Sequence, residues 1–557
     1  MANADEHVPV LIIGAGPTGL VLSALLSRFG VESLLIDRDP ATTDHPQAHV
    51  VNTRTMEIFR SLGIAEAVYG GALSGESGGH VRWVKSLAGR EFASLSLAPP
   101  PEMIPMLMAA TPAVPCSCAQ DLIEPILAEI AQRGPGRLRF STTLTDIDQD
   151  GAGVIASVTE GGTTRRISAD WLIGSDGAAS TTRRLVGIPM VGPDALARIV
   201  GIYFHADLSE LLVERPSVLY WTIDAESPGT FIAMDGRYRW VFHAPTDTEE
   251  FDPSVYSDDR CQQILRRAIG AEVNPEVRSV RPWVMTAQVA ARYREGRVLL
   301  AGDAAHRFPP TGGFGMNTGV QDSHNLAWKL AAVIGGQAGE ALLDTYEQER
   351  LEVAQGNSDF SFRNLLGVAD IMGPGAQAQA RRLESGEATF EEVAADIQAI
   401  ADRERAHFGA FGRDLGFHYD DGAIVPDGTA PPHRADPDRE YIPNARPGAR
   451  APHFGIVTDG NPGSSLDLFD GQWTLLCSSD AAGSWKQAAS AQSAAVQTVA
   501  VGVDVADPGK VFASLYGVDD GAVLVRPDGH IGWRTRNLPG RPTDALATAL
   551  GSMLSTA

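Results

Sequence analysis

The sequence predicts a mixed α/β fold: a Rossmann-like first unit, an inserted antiparallel sheet and a small α/β unit at the C-terminal end. Three observations carry this. Residues 10–13 and 31–36 are unbroken apolar runs joined by a glycine-rich turn and a helical stretch, the pattern of strands buried on both faces in a parallel sheet. Residues 199–206, 217–223, 230–234 and 238–243 are short, β-rich and partly alternating, as an antiparallel sheet requires. Beyond residue 452, apolar runs at 473–477, 500–504 and 521–534 alternate with helical composition, and the last is a hairpin around Pro527-Asp528-Gly529.

Bulk properties narrow the class. The chain has 557 residues and a formal net charge of -24, with no basic stretch of the kind a nucleic-acid binder shows. Residues 1–9 are polar and acidic, unlike a signal peptide. Residues 10–26 are apolar but broken by Gly14, Gly16, Pro17 and Gly19, so they do not read as a membrane span. Cys116, Cys118, Cys261 and Cys477 form no C-x-x-C pair and no zinc spacing. The expectation is a reduced, cytoplasmic protein without metal or membrane segment.

Taken in order, the first element is Gly14-Ala15-Gly16-Pro17-Thr18-Gly19, after one strand and before a helix, with Asp37 closing the next strand. Glycines there let a backbone approach a pyrophosphate, the helix N-terminus adds partial positive charge, and the acid can accept ribose hydroxyls. The plain alternative is a tight turn that binds nothing. With strand, helix and acid in register, dinucleotide binding is expected, and FAD or NAD remains open at this point. Residues 44–57 follow. Arg54 and Glu57 stand one turn apart on a helix and read as a surface ion pair. His49 lies in the preceding loop, where a hydrogen-bonded structural role is the simple reading. Gln120 opens a helix, and residues 138–146, 153–160 and 165–173 are β runs.

The last of these ends in Asp176-Gly177-Ala178-Ala179-Ser180-Thr181-Thr182-Arg183. Read alone, Asp176 is a turn residue, Ser180 a helix cap and Arg183 a surface charge. In the inserted sheet Tyr220, Phe231, Met234 and His243 are the candidates to face a ligand. A second strand, 298–301, runs into Gly302-Asp303-Ala304-Ala305-His306 and then Pro309-Pro310-Thr311-Gly312-Gly313-Phe314-Gly315-Met316-Asn317, with a helical pattern from about 317 to 334. Residues 344–405 are helical with a break at 372–375, and 422–452 form an extended connection.

Three motifs thus stand in order: Gly14-x-Gly16-x-x-Gly19, Asp176-Gly177-x-x-Ser180-x-x-Arg183 and Gly302-Asp303-Ala304-Ala305-His306-x-x-Pro309-Pro310. Together they resemble the single-component flavoprotein aromatic hydroxylases, the fold family of p-hydroxybenzoate hydroxylase and phenol hydroxylase. The likeness lies nearest the phenol/2,4-dichlorophenol hydroxylases and polyketide-tailoring hydroxylases. It extends to Arg54-Thr-Met-Glu57, Gln321-Asp322-x-x-Asn325-Leu-Ala-Trp-Lys329, Arg446-Pro-Gly-Ala-Arg450 and 524–530.

The resemblance implies FAD as cofactor, NADPH or NADH and O2 as co-substrates, and hydroxylation of a small aromatic or polyketide-like phenol through a flavin C4a-hydroperoxide. It implies cofactor contacts from Gly14, Gly16, Pro17, Thr18, Gly19, Asp37, Arg38, Gln47, Gln120, Asp176, Gly302, Asp303, Pro310, Gly313, Gly315, Met316 and Asn317. Gln47 stands where many relatives carry an Arg that contacts FAD. His49 stands where phenol hydroxylase carries an Asp, so with Pro309 it is a catalytic candidate, orienting or deprotonating the substrate. Gly312 would join Tyr220, Phe231, Met234 and His243 in binding it.

The implied domains are 1–183 with 285–400 for FAD, 184–284 for substrate, a 401–452 connection, and a thioredoxin-like 453–557 whose missing C-x-x-C leaves a structural or oligomer-forming role. A homo-oligomer is expected. The alternatives are a Baeyer–Villiger or epoxidising monooxygenase on the same fold and, from residues 14–37 alone, an NAD-dependent dehydrogenase. A flavin halogenase would need a W-x-W-x-I-P stretch, which is not evident.

Overall fold

The computed structural model describes residues 4–246 and 253–554. Its first sheet has the order Arg294–Glu295, Val298–Leu300, Thr163–Gly174, Glu6–Ile13, Ser33–Ile36, Gly136–Arg139, and the last five strands are mutually parallel. From Val10 to Ile13 alternate residues of the strand Glu6–Ile13 feed two cores. Val10 and Ile12 pack with Leu20, Leu25 and Leu326 on the helical side, while Val8, Leu11 and Ile13 pack with Leu144, Val154 and Val298 on the other. This is why the strand reads as a continuous apolar run rather than an alternating one.

Parallel strands end at one edge. Ile13, Ile36, Gly174 and Leu300 all finish there, so Gly14, Asp37, Asp176 and Asp303 are brought to one crevice from four distant parts of the chain. The helices Pro17–Arg28 and Phe314–Ile334 cross closely beneath it. A Cβ on Gly302 would lie 2.5 Å from Thr18 Oγ1 and one on Gly319 2.3 Å from the same atom, so only glycines allow this approach. The long helix starts at Phe314, three residues before the expected start, because Gly313 takes the left-handed conformation (φ 71°) as its cap.

The second sheet has the order Glu276–Met285, Ala197–His205, Arg239–Pro245, Gly229–Ala233, Leu219–Thr222, His80–Val84, Glu91–Ser96. It differs from the expected unit in two ways. His80–Val84 and Glu91–Ser96, which fall in the expected FAD unit, join this sheet through a parallel pairing of Leu219–Thr222 with His80–Val84. The helices Gly373–Glu384 and Phe390–Arg403 also pack here, Val393 and Ile397 against Trp83, Phe92 and Leu95. Long-range parallel pairing leaves no local trace in sequence, which explains the difference.

The C-terminal unit carries a four-stranded sheet ordered Val496–Val501, Trp473–Ser478, Ala522–Val525, Ile531–Thr535. The first pair, Val496–Val501 with Trp473–Ser478, is parallel and the rest antiparallel, with Ala482–Ser490 and Pro542–Leu554 on one face, which is a thioredoxin-like arrangement. Cys477 is buried in its central strand and unpaired. Trp328 of the long helix packs edge-on against Trp473 at 5.5 Å, docking this unit on the first.

Two buried ion clusters fasten the docking. Glu57 accepts from Arg54 Nη1 at 3.0 Å and from Arg450 Nε at 2.8 Å, with Thr111 Oγ1 at 2.6 Å. The pair expected on the surface is therefore buried, because Arg450 arrives from the far end of the chain to cover it. In the second cluster Glu349 takes Arg526 Nη1 and Nη2 and Lys329 Nζ, each at 2.8 Å, all four groups being fully enclosed with Asp528. Arg526 and Asp528 belong to the Pro-Asp-Gly hairpin turn, which is thus a plug into the long helix rather than a surface turn.

Candidate active site

The crevice at the strand ends opens into one cavity of about 2160 Å³, continuous with the underside of the second sheet. Ordinary ligand pockets span about 300–1,000 Å³, so this one has room for a dinucleotide and a second organic molecule together.

At the crevice end Gly14 has φ 103°, and a Cβ there would lie 2.4 Å from Ser175 O; Gly19 packs equally tightly on Gly14 O. Ser175 Oγ donates to the Ile13 and Gly14 carbonyls at 2.9 and 3.0 Å, locking the turn. Gly16 is different: nothing lies within 4 Å of where its Cβ would be, and it borders the cavity. The helix that follows has no side-chain cap. Its N–H groups and dipole therefore face the cavity, as a pyrophosphate site requires. Asp37 accepts Ala15 N–H at 2.6 Å and Asp39 N–H at 2.8 Å, keeping lone pairs for ribose hydroxyls.

Asp176 is fully used by the protein, accepting from Ser180 Oγ at 2.5 Å and from Thr182 N and Oγ1 at 2.9 and 3.0 Å. Ser180 caps the next helix through Arg183 N at 2.9 Å. Arg183 is not a surface charge: it is buried and donates to Ala304 O at 2.9 Å, tying the Asp-Gly turn to the Gly-Asp turn. Gln120 Nε2 donates to Glu124 Oε1 at 2.7 Å, and Glu124 in turn receives Thr43 N–H at 2.7 Å.

Asp303 lies in the cavity wall and accepts no hydrogen bond from the described residues. It is exposed to the cavity, whose walls desolvate it and raise its pKa, against His306 and Arg307, which lower it. Such an acceptor is satisfied by hydroxyl donors of a ligand. The turn that carries it is held from behind. Asp322 Oδ2 accepts Gly302 N–H at 3.1 Å and pairs with His306 Nε2 at 2.7 Å, while its Oδ1 receives Arg350 Nε at 2.8 Å. Beyond the turn, Pro309, Pro310, Gly312 and Gly313 border the cavity, followed by the uncapped helix start at Phe314, Gly315 and Met316.

A family model described as FAD binding domain matches residues 7–361, and one described as aromatic-ring hydroxylase, C-terminal, matches residues 444–557. The chain belongs to the FAD-dependent aromatic-ring hydroxylases. It is 35% identical to aklavinone 12-hydroxylase RdmE of Streptomyces purpurascens, over 95% of this chain and 96% of that one. It is 33% identical to 2,4-dichlorophenol 6-monooxygenase of Delftia acidovorans, over 98% of each. Among solved structures, the flavin-dependent monooxygenase PieE in complex with FAD and substrate matches with a TM-score of 0.91 and 34% identity, covering all of both chains.

The enzyme is an FAD-dependent monooxygenase, and its residues fit that cofactor. The open space at Gly16, the unpartnered Asp303 and the uncapped helix start at Phe314 have the chemistry that would suit the pyrophosphate, the polyol and the ring edge of one extended molecule. Of the expected contacts, Gly14, Gly16, Pro17, Thr18, Asp37, Arg38, Gln47, Gln120, Asp176, Asp303, Pro310, Gly313, Gly315 and Met316 border the cavity. Gly19, Gly302 and Asn317 do not; they form the layer behind it. Asn317 receives Asn52 N–H at 3.0 Å and donates to Val50 O at 2.9 Å and Gly313 O at 2.6 Å, holding the His49 loop against the helix start.

The substrate end needs the larger correction. His243 and Gly312 border the cavity, but Tyr220, Phe231 and Met234 do not. Tyr220 pairs with Phe231, and Phe231 with Phe242, on the far face of the sheet, where they pack under Cys261 and Leu265. The cavity face is one register over: Trp221 opposite Thr230 opposite His243, and Leu219 opposite Ile232. Met234 shares that parity but sits at the strand end against Ala119. A single known inward residue, His243, would have fixed every other one by the period of two.

His49 borders the cavity and bonds Ser117 Oγ through Nδ1 at 2.9 Å; burial lowers its pKa to about 4. His243 stacks edge-on against Trp283 at 5.4 Å, and burial, then His45 and His49, lower its pKa to about 4. Both imidazoles are neutral at pH 7. Among the described residues no group of acids, histidines and cysteines could hold a metal, and no helix is long and apolar enough to cross a membrane.

Proposed function

We propose that the enzyme hydroxylates a polycyclic phenol, and that His49 orients the phenol without removing its proton. The observation that carries the substrate class is the 2160 Å³ cavity, whose second half is walled by the apolar side chains Leu219, Trp221, Ile232 and Trp283. It suits an extended ring system. Two relatives are named for hydroxylation of aklavinone, RdmE among them, which agrees with this class.

FAD reduced by NAD(P)H supplies the oxygen-activating chemistry. The chain's own residues do the rest. The helix start at Gly313–Met316 offers uncompensated N–H groups to negative charge on the ring edge. Pro309, Pro310, Gly312 and Gly313 keep long side chains out of the reacting space, and the second sheet shuts water from it. Neutral His49 accepts a hydrogen bond from the phenol. With its pKa at about 4, against roughly 10 for a phenol, full transfer is far uphill, so its role is orientation.

A panel of monocyclic and polycyclic phenols, scored for stimulated NAD(P)H oxidation and for one added oxygen in the product, tests the class. Polycyclic phenols are expected to give the strongest response with a hydroxylated product. Stimulation by monocyclic phenols alone would overturn the class, and ring-expanded lactones would replace hydroxylation by the Baeyer–Villiger reaction.

His49→Gln should raise KM for the phenol and lower the fraction of NAD(P)H oxidation coupled to hydroxylation by about tenfold. The kcat profile from pH 6 to 8 should keep its shape, since His49 does not titrate there. Loss of a limb near pH 6.5 in the variant would show instead that His49 acts as the base.

A further inference from the structure

The connection 401–452 was expected only to pack on its neighbours, yet its short helix Phe411–Gly416 places Asp414 in the wall of the same cavity. Its Oδ1 accepts Asn52 Nδ2 at 3.0 Å, and Asn52 N–H bonds Asn317, which holds Val50 and Gly313 together. Asp414 is therefore joined through Asn52 and Asn317 to the loop and helix start where the reacting ring is expected to lie.

No cation answers it. Arg413, next in the chain, turns away to Asp438 Oδ1 at 2.6 Å, and Arg54 and Arg450 are committed to Glu57. Among the described residues, the charged group that bears on it is Glu57, of the same sign, on the helix Thr53–Ser61 packed against it. A half-buried carboxyl without a counter-ion is costly in a fold, and such groups mark functional sites.

We infer that Asp414 is a substrate-binding residue, hydrogen-bonding a hydroxyl or carbonyl oxygen of the polycyclic phenol. This rests on the substrate class proposed above. Burial raises its pKa to about 7, against Thr53 N–H and Asn52, so the group can donate or accept near neutral pH.

The test is Asp414→Asn with two readouts. The first is the Kd of the polycyclic phenol that responds best in the panel. It should weaken at least fivefold. The second needs no substrate: the Tm of Asp414→Asn minus that of the wild type, against pH. An acid whose folded pKa exceeds its unfolded one destabilises the fold once the unfolded chain ionises. The difference should therefore grow from about pH 4 to about pH 7 and level off above. A variant that loses Tm at every pH while binding the phenol normally would make Asp414 a helix cap, overturning the inference. Unchanged Kd with the expected Tm curve would overturn it as well. A wild type that binds no polycyclic phenol would overturn the substrate class, and this contact with it.

Discussion

Gly16→Ala should fold like the wild type and purify without FAD. Its Cβ would meet no protein atom within 4 Å, because it enters the cavity at the place proposed for the pyrophosphate. The expected loss of FAD affinity is about 10- to 100-fold, or about 1.4–3 kcal/mol, with Tm of the FAD-free protein unchanged. Gly14→Ala makes the contrast. Its Cβ would strike Ser175 O at 2.4 Å and Asp176 Cα at 2.7 Å, both backbone, and φ 103° is closed to an L-residue. Overpacking and backbone strain together cost about 2–6 kcal/mol, so this variant should lose both FAD and stability. Titration of the two FAD-free proteins with FAD, followed by flavin fluorescence and by thermal melting, separates the effects. A Gly16→Ala protein that keeps FAD at wild-type affinity would place the pyrophosphate elsewhere.

The second large effect lies away from the flavin. Glu349→Ala leaves Lys329 enclosed without its anion and Arg526 with Asp528 alone. Removing one partner of a buried ion pair costs about 3–5 kcal/mol. Because Arg526 belongs to the C-terminal unit and Lys329 to the FAD-facing helix, that unit should undock first, seen as early proteolysis beyond residue 420. The same cluster gives the fold an acid limit. Burial pushes the Glu349 pKa up, but Arg526 and Lys329 outweigh it and hold it at about 2. A carboxylate depressed in the fold stabilises it fully above its unfolded pKa. That stability drains away as pH falls from about 4.5 towards 2. Thermal melts between pH 6 and 3 should show the loss in wild type and a flatter curve in Glu349→Ala. Equal slopes would remove Glu349 from the account of acid unfolding.

What could be seen in advance followed a physical pattern. The crevice was legible because each part is a local motif at a strand end, and parallel strands deliver such ends to one edge without further instruction. Gly14, Asp37, Asp176 and Asp303 needed only the reading of four short stretches. The substrate wall was not legible. Tyr220 and Trp221 are neighbours of similar character, and the choice between them is a choice of sheet face that one strand alone does not make.

Burial across large sequence distances was equally hidden. Arg54 and Glu57 carry every mark of a surface pair, and only Arg450, 393 residues from Glu57, encloses them. The strands His80–Val84 and Glu91–Ser96 went to the second sheet for the same reason, since their partner is Leu219–Thr222. Asp414 lay in a Pro- and Asp-rich connection where an acid attracts no notice. Its meaning comes from which cations turn away from it.

The account's central claim is that one cavity holds FAD at its crevice end and a polycyclic phenol beneath the second sheet. The most direct measurement is turnover of the FAD-loaded enzyme with NAD(P)H and a polycyclic phenol under isotopically labelled dioxygen, followed by mass spectrometry. The account predicts a ring-hydroxylated product carrying one labelled oxygen atom, with NAD(P)H consumption that depends on the phenol. Unlabelled product, or NAD(P)H consumption indifferent to every phenol tested, would contradict it.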